Sequence, residues 1–390
     1  MKKSYDYIVI GCGGIGSAAA YWLSRVAGPE LLVLEQFQLG HDQAASDDHS
    51  KIIRLAYHAP QYTALTPHTF TAWREVEEES GIRLVLKTGG LDLAPGGALG
   101  EAALDPRAAA MDRHTIPYER LLARDVMARW PQFRLPETAG ALYQADGGLV
   151  DTRKAIATHV ALARGRGATI LERMPARGIR VAGDLVEVTT AEITFSGRRV
   201  IVAADAWTNT VLETLGVRWP LTVTEEQVTY FATPHLRDFA PDRFPVWIWH
   251  GEDAFYGFPV YGEVATKAGQ DVGGDVVTAD TRRSAPNPRP LRKLMDFLAE
   301  HIPGFLGPIL YTKPCLYTMP PDRNFIIDRL PDHPQVAVAV GAGHAGKFSC
   351  LIGRILMQLV TDGETPYPIE AFRIRRPALT DPDFPPTFRH

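Results

Sequence analysis

The chain has 390 residues, with 41 lysines and arginines against 45 aspartates and glutamates and a net charge of −4 at pH 7. That balance gives no bulk basicity to draw nucleic acid or an anionic membrane, and no stretch reaches the ~18 apolar residues of a membrane span. The length suits two domains or one large interleaved unit. The three scattered cysteines, Cys12, Cys315 and Cys350, form no zinc cluster and no disulfide framework, so no metal is expected and a reducing, cytoplasmic setting is.

Ile8-Val-Ile10 is a short apolar run of the kind a buried parallel strand shows. Gly11, Gly13 and Gly16 follow at G-x-G-x-x-G spacing, with Gly14 and Ile15 between them, and Ala18 to Leu23 reads as a helix. The glycines permit a tight turn and a close approach of backbone N–H groups to a pyrophosphate, which the helix N-terminus also favours. A second run, Leu31-Leu-Val-Leu34, ends at Glu35. A carboxylate about 20 residues past the glycines accepts hydrogen bonds from ribose hydroxyls and repels a 2′-phosphate. A bound dinucleotide is therefore expected. The motif by itself does not separate NAD from FAD.

Further along, Gln43 to Ser50 is a polar loop, Thr66 to Glu79 has helical spacing, and Lys87 to Ala94 reads as a strand. Arg107 to Trp130 reads as mostly helical with a break at Pro117, and Gly140 to Tyr143 as a strand. A helix over Thr152 to Arg166 precedes strands at Ala168–Leu171, Leu185–Thr190 and Val200–Ala204. A β-rich stretch runs from Val223 to Lys267, and Leu291 to Ile302 is a helix. The strand Val336–Val340 leads into Gly341-Ala-Gly343-His344-Ala-Gly346-Lys347 and a helix through Val360.

This order of segments resembles the monomeric sarcosine oxidase and N-methyl-amino-acid oxidase family, within the D-amino-acid-oxidase-type FAD flavoproteins. The resemblance spans essentially the whole chain. It rests on the first fingerprint with Glu35, Lys51-Ile-Ile-Arg54-x-Ala-Tyr57, Lys87-Thr-Gly89, Ala206-Trp207, Tyr256-Gly-Phe-Pro259, Lys267, Cys315-x-Tyr317-Thr with Phe325-Ile-Ile-Asp328, and the final loop ending Lys347-Phe348. It implies an α/β fold (α+β overall), with a Rossmann-type FAD-binding domain over 1–86, 145–220 and 315–365. That domain is interleaved with a substrate domain on a mixed, mostly antiparallel sheet over 87–144, 221–314 and 366–390.

The resemblance also implies roles. Cys315 matches the cysteine bonded to the flavin 8α-methyl group, a link that prevents flavin loss and raises its potential. Lys267 matches the lysine beside flavin N5 that assists reaction with O2, where a fixed positive charge stabilises a superoxide-like anion. Arg54 and Lys347 match the pair that binds the substrate carboxylate, and Tyr256 and Tyr317 wall the pocket. Lys51 and His344 stand at both the cofactor and the reacting centre. Gln36, Ser46, Ile52, Ala204, Trp207, Leu316, Gly341, Gly343 and Gly346 join Gly11, Gly13, Gly14, Ile15, Gly16, Glu35, Cys315 and Lys347 around FAD. Each also has a plainer reading: a buried thiol, a surface lysine, a structural salt bridge for Arg54, or ordinary buried tyrosines.

The chain departs from the sarcosine-oxidase pattern at several points. Ser46-Asp47-Asp48-His49-Ser50-Lys51 replaces Ser-His-Gly-x-Ser/Thr-Arg and looks like the form in saccharopine and fructosyl-amino-acid oxidases. Asp271 stands where sarcosine oxidases have histidine and fructosyl-amino-acid oxidases an acid that contacts a sugar hydroxyl. Gly341 and Gly346 stand where phenylalanines do, a change expected to widen the pocket, and Asp205 replaces a glycine. The expected activity is FAD-dependent oxidation of a secondary amine of an α-amino acid, with O2 reduced to H2O2, by a monomer acting on small molecules. An Amadori-compound, cyclic imino-acid or saccharopine-type substrate is the nearest alternative; a non-oxidase flavoprotein or an NAD-linked dehydrogenase lies further off.

Overall fold

The computed structural model describes residues 2–283 and 285–387, so the end of the expected segment 366–390 lies outside the described residues. The first strand, Ser4–Ile10, pairs in parallel with Leu31–Leu34 on one side and Thr194–Val202 on the other. Thr169–Leu171 extends the sheet beyond Leu31–Leu34, and Val336–Val340 extends it beyond the C-terminal half of Thr194–Val202, all in parallel. The N-terminal half of Thr194–Val202 instead takes an antiparallel hairpin, Gly178–Ala182 with Leu185–Thr189.

Alternation along these strands sends Val9 and Val33 to one face and Ile8, Ile10, Leu32 and Leu34 to the other. Both faces are apolar because both are covered, as a parallel sheet requires. The helices Gly14–Ala27, Pro60–Ser80, Thr152–Gly165 and Ser349–Thr361 pack on the first face around Trp22, Trp73 and Ile352. The hairpin covers the second, with Val211, Leu212 and Trp219.

The other large sheet runs in the order Ile309–Met319, Thr222–Phe231, Thr266–Asp271, Ala254–Phe258, Val246–His250, Gly90–Ala94, Gly140–Gln144, Glu119–Leu122. Asp275–Val277 also pairs with Thr222–Phe231. Among the described residues of this sheet only Val246–His250 against Gly90–Ala94 is parallel. A small sheet, Lys51–Ile53, Gly148–Val150 and Val85–Lys87, stands apart. The architecture is thus the expected Rossmann-type α/β unit interleaved with a mixed, mostly antiparallel sheet.

The structure differs from the local expectations in several places. The segment read as mostly helical over Arg107–Trp130 contains the end of a helix Ala98–Arg113, an edge strand Glu119–Leu122 and a helix Ala123–Arg129. The edge strand has no buried residue, so no apolar alternation announces it. The helix read from Thr66 begins at Pro60, where proline is tolerated because its missing N–H would have had no helical partner. The strand Ile309–Met319 runs through the expected domain limit at 315 and lies wholly in the second sheet.

Candidate active site

A cavity of about 2120 Å³ runs from the Gly11–Ile15 turn to the second sheet. At its first end Gly11 has φ +93°, and a Cβ there would collide with the Ala203 carbonyl. A Cβ on Gly16 would collide with the Gly11 carbonyl; Gly16 brings helix and turn together and does not line the cavity. Ser46 Oγ accepts from the Gly14 N–H at 2.9 Å, closing the loop Gln43–Ser50 over the turn. Glu35 accepts from the Cys12 and Phe37 N–H groups at 2.8 and 2.9 Å. Burial pushes its carboxyl up, but hydrogen bonds from His41, Phe37 and Cys12 outweigh this and hold it below its usual value. Gln36, Ile52, Ala204 and Trp207 also line the cavity.

Deeper in, the strand Thr266–Asp271 presents Lys267, which is 1% exposed. Its Nζ donates to Asp48 Oδ2 at 3.0 Å, Ser50 Oγ at 2.7 Å and the Ser50 carbonyl at 2.6 Å, and lies 3.9 Å from the centre of the Phe258 ring. Burial pulls this ammonium down to about 8, with Asp48 opposing. Burial pushes Asp48 up, yet the Lys267 and Lys51 charges and the Tyr230 hydroxyl hold it well below the carboxylate range. Asp47 turns the other way, onto Arg153 and Lys313. The two consecutive acids that depart from the family pattern therefore serve two different ion pairs.

Arg54 and Lys347 converge on Tyr57, at 4.9 and 5.5 Å from its ring centre. Arg54 Nη1 donates to Asp92 Oδ1 at 2.5 Å, while its Nε has no partner among the described residues. Asp92 also meets His250 Nε2 at 2.7 Å and Arg107 Nε at 3.7 Å. Burial pulls His250 down to about 4 and Arg107 down to about 10. One carboxylate thus faces two guanidiniums and a neutral imidazole, with Lys347 close by, so the wall keeps positive charge for an anion. The structural salt bridge weighed for Arg54 exists, and it leaves this surplus. Asp92, Arg107 and His250 did not stand out in the sequence. The available signal was Asp92, a single acid in the fully buried strand Gly90–Ala94.

Tyr256 and Tyr317 line the cavity, and burial holds both phenols well above their usual value. Gly343, at φ +77°, lies so close to the Tyr317 ring that a Cβ would overlap it. Asp271 is clamped by Arg323, whose Nη1 and Nη2 reach its two oxygens at 3.0 and 2.7 Å. His344 is held by the Ala342 carbonyl at 2.9 Å and packs on Phe325, and burial pulls it well below its usual value, so it is neutral. A Cβ on Gly346 would come 3.1 Å from Lys51 Cγ, and one on Gly341 would come 2.8 Å from Ala345 Cβ. These two glycines admit neighbouring groups and do not simply widen the pocket.

Cys315 and Tyr317 share a face of the strand Ile309–Met319, while Leu316 is buried on the opposite face and does not line the cavity. Cys315 is partly exposed but is not one of the residues lining the cavity wall. Burial pushes its thiol up to about 12, with Lys51 opposing. Asp205 has φ +45°, which explains why glycine suits that position, and burial pushes its carboxyl up to about 6.

The family described as DAO, FAD dependent oxidoreductase, matches residues 6–359. This chain is a DAO-family FAD-dependent oxidoreductase. It is 31% identical to a monomeric sarcosine oxidase of Arthrobacter sp. (strain TE1826), covering 97% of this chain and 98% of that protein. It is 30% identical to an N-methyl-L-tryptophan oxidase of Escherichia coli O139:H28, covering 95% and 99%. The solved open form of NikD, an unusual amino acid oxidase essential for nikkomycin biosynthesis, superposes with a TM-score of 0.84 at 29% identity, covering 95% and 98%. The oxidoreductase has residues that fit FAD: a glycine turn with no room for side chains, a carboxylate at the end of the second strand, and a cavity continuing to the cationic wall. No helix among its described residues is long and apolar enough to cross a membrane.

Proposed function

We propose that this oxidoreductase oxidises a secondary amine of an α-amino acid and passes the electrons to O2, giving H2O2. The observation that carries the reading is the convergence of Arg54 and Lys347 on Tyr57, in the cavity that also holds Lys267, Tyr256 and Tyr317. Arg54 and Lys347 bind the substrate carboxylate with charge-assisted hydrogen bonds and so fix the amine-bearing carbon in the cavity. Tyr256 and Tyr317, both neutral, wall the amine and exclude water. Bound FAD supplies the acceptor for a hydride equivalent from that carbon. Lys267 supplies the positive charge that reaction with O2 requires, and Asp48 and Ser50 hold it in place. Cys315 tethers the flavin through its thiol, and the protein acts as a cytoplasmic monomer.

A second reading concerns the amine substituent. The Asp271–Arg323 pair beside His344 favours a larger, polar N-substituent, as in an Amadori compound, over the methyl group of sarcosine. Acid precipitation of the purified protein tests the tether: a yellow pellet with flavin mass on the Cys315 peptide is expected, and a colourless pellet rejects the bond. A peroxide-coupled panel of N-methyl, N-fructosyl and cyclic amino acids tests the substrate. Peroxide from none of them rejects the oxidase, and sarcosine outperforming every bulkier amine rejects the polar-substituent reading.

A further inference from the structure

The polar contacts of Lys267 continue past Asp48 in a direction away from the cavity. The second carboxylate oxygen of Asp48 accepts from the Tyr230 hydroxyl. Tyr230 and Tyr311 face each other across the paired strands Thr222–Phe231 and Ile309–Met319. Their rings stack with centres 4.6 Å apart, which brings the two hydroxyls together. The Tyr311 hydroxyl reaches Glu263 Oε1 at 3.1 Å, and that side chain is 37% exposed. Tyr230, Tyr311 and Glu263 do not line the cavity. A run of polar groups thus leads from a buried ammonium to the protein surface without crossing the substrate space; Tyr230 donates to Asp48 and Tyr311 to Glu263, and the run becomes continuous once Glu263 carries a proton and the Tyr311 hydroxyl turns to Tyr230.

We propose that Asp48, Tyr230, Tyr311 and Glu263 form a proton relay that returns a proton to Lys267 from bulk water. The inference rests on the oxidase reading. Reduction of O2 to H2O2 takes two electrons and two protons. The reduced flavin supplies both electrons and one proton, and Lys267 Nζ supplies the second. A proton taken up at Glu263 passes to the Tyr311 oxygen as the Tyr311 proton moves to Tyr230. The Tyr230 proton moves to Asp48 and on to Lys267. Each hydroxyl gives one proton and receives one, so neither tyrosine is left charged. Lys51 and Cys315 also face Lys267, and Lys51 faces Asp48. His49 meets Glu263 at 3.1 Å and carries Arg153 at 3.2 Å, so the entry point sits among other charged and titratable groups.

The test uses holoenzyme reduced with dithionite and then mixed with O2, which needs no knowledge of the amine. Tyr311→Phe and Glu263→Gln are each expected to slow flavin reoxidation by about tenfold or more in weak buffer. The double variant should be no slower than the slower single, and added imidazole should restore the rate. A second readout is independent of turnover: in protein labelled with 15Nζ-lysine, proton exchange at Lys267 should slow in Tyr311→Phe while its chemical shift is kept. Reoxidation and exchange both within twofold of the parent would overturn the relay. If the parent itself fails to react with O2, the oxidase reading fails, and the exchange measurement still decides the relay.

Discussion

Replacing Asp48 by asparagine perturbs the buried pair at the centre of the site. Asp48 Oδ2 lies 3.0 Å from Lys267 Nζ, and both side chains are almost wholly buried. At that separation and an effective dielectric of about 20, the attraction is roughly 5 kcal/mol. At about 1.4 kcal/mol per unit this corresponds to roughly four pKa units. Lys267 stands at about 8 in the parent, pulled down by burial with Asp48 opposing. In Asp48→Asn it becomes neutral at pH 7, and the folded state sheds a proton that the unfolded chain keeps. Losing one partner of a buried pair costs about 3–5 kcal/mol.

The dependence on pH follows from proton counts. Between the folded and unfolded lysine values the unfolded chain binds more protons, so stability rises with pH. In the parent that rise begins only near pH 8; in the variant it begins well below neutrality and continues toward the unfolded value of 10.5. The deficit measured by urea unfolding should therefore be larger at pH 7 than at alkaline pH, by about 1.4 kcal/mol for the one unit between pH 7 and the parent's value of about 8. A deficit equal at both pH values, or none at pH 7, would refute the reasoning.

Lys267→Met should slow reoxidation of the reduced flavin by about 100-fold or more and leave reduction by the amine within a few-fold; equal slowing of both in stopped-flow traces would remove its assigned role. Lys347→Met should raise KM for carboxylate-bearing amines by roughly 10- to 100-fold, the worth of one hydrogen bond to a charged group, with no change for an amine lacking the carboxylate. Gly343→Ala, at a left-handed φ and against the Tyr317 ring, should lower both stability and substrate binding, read by thermal melting and steady-state kinetics. Asp205→Gly removes a left-handed non-glycine residue and a buried carboxyl, and should raise the melting temperature by an amount equivalent to about 1 kcal/mol; a lower melting temperature would show that the carboxyl has a partner worth more than the strain.

The first βαβ unit was legible because its physics is local: apolar runs, glycines and Glu35 stand within one short stretch of chain. The alternation of the two kinds of sheet was legible from recurring βαβ elements and the later β-rich stretch. The partners of the charged groups were not. Asp48 meets Lys267 across 219 positions of sequence, and Asp92 meets His250 across 158, so no spacing rule pairs them. Arg107 was taken only as part of a helix, and its role as a second guanidinium on Asp92 depends on how that helix packs against the strand Gly90–Ala94. The resemblance set Leu316 beside FAD with Cys315, whereas strand alternation sends the two to opposite faces.

The central claim is that a flavin and an amino acid's amine meet beside a cationic wall. Anaerobic mixing of the yellow holoenzyme with N-substituted amino acids tests it directly. The account predicts that the flavin bleaches with such an amine, recovers with release of one H2O2 on admission of O2, and bleaches far less readily in Arg54→Met. Bleaching by a nicotinamide instead, or equally fast bleaching by an amine without a carboxylate, would contradict it.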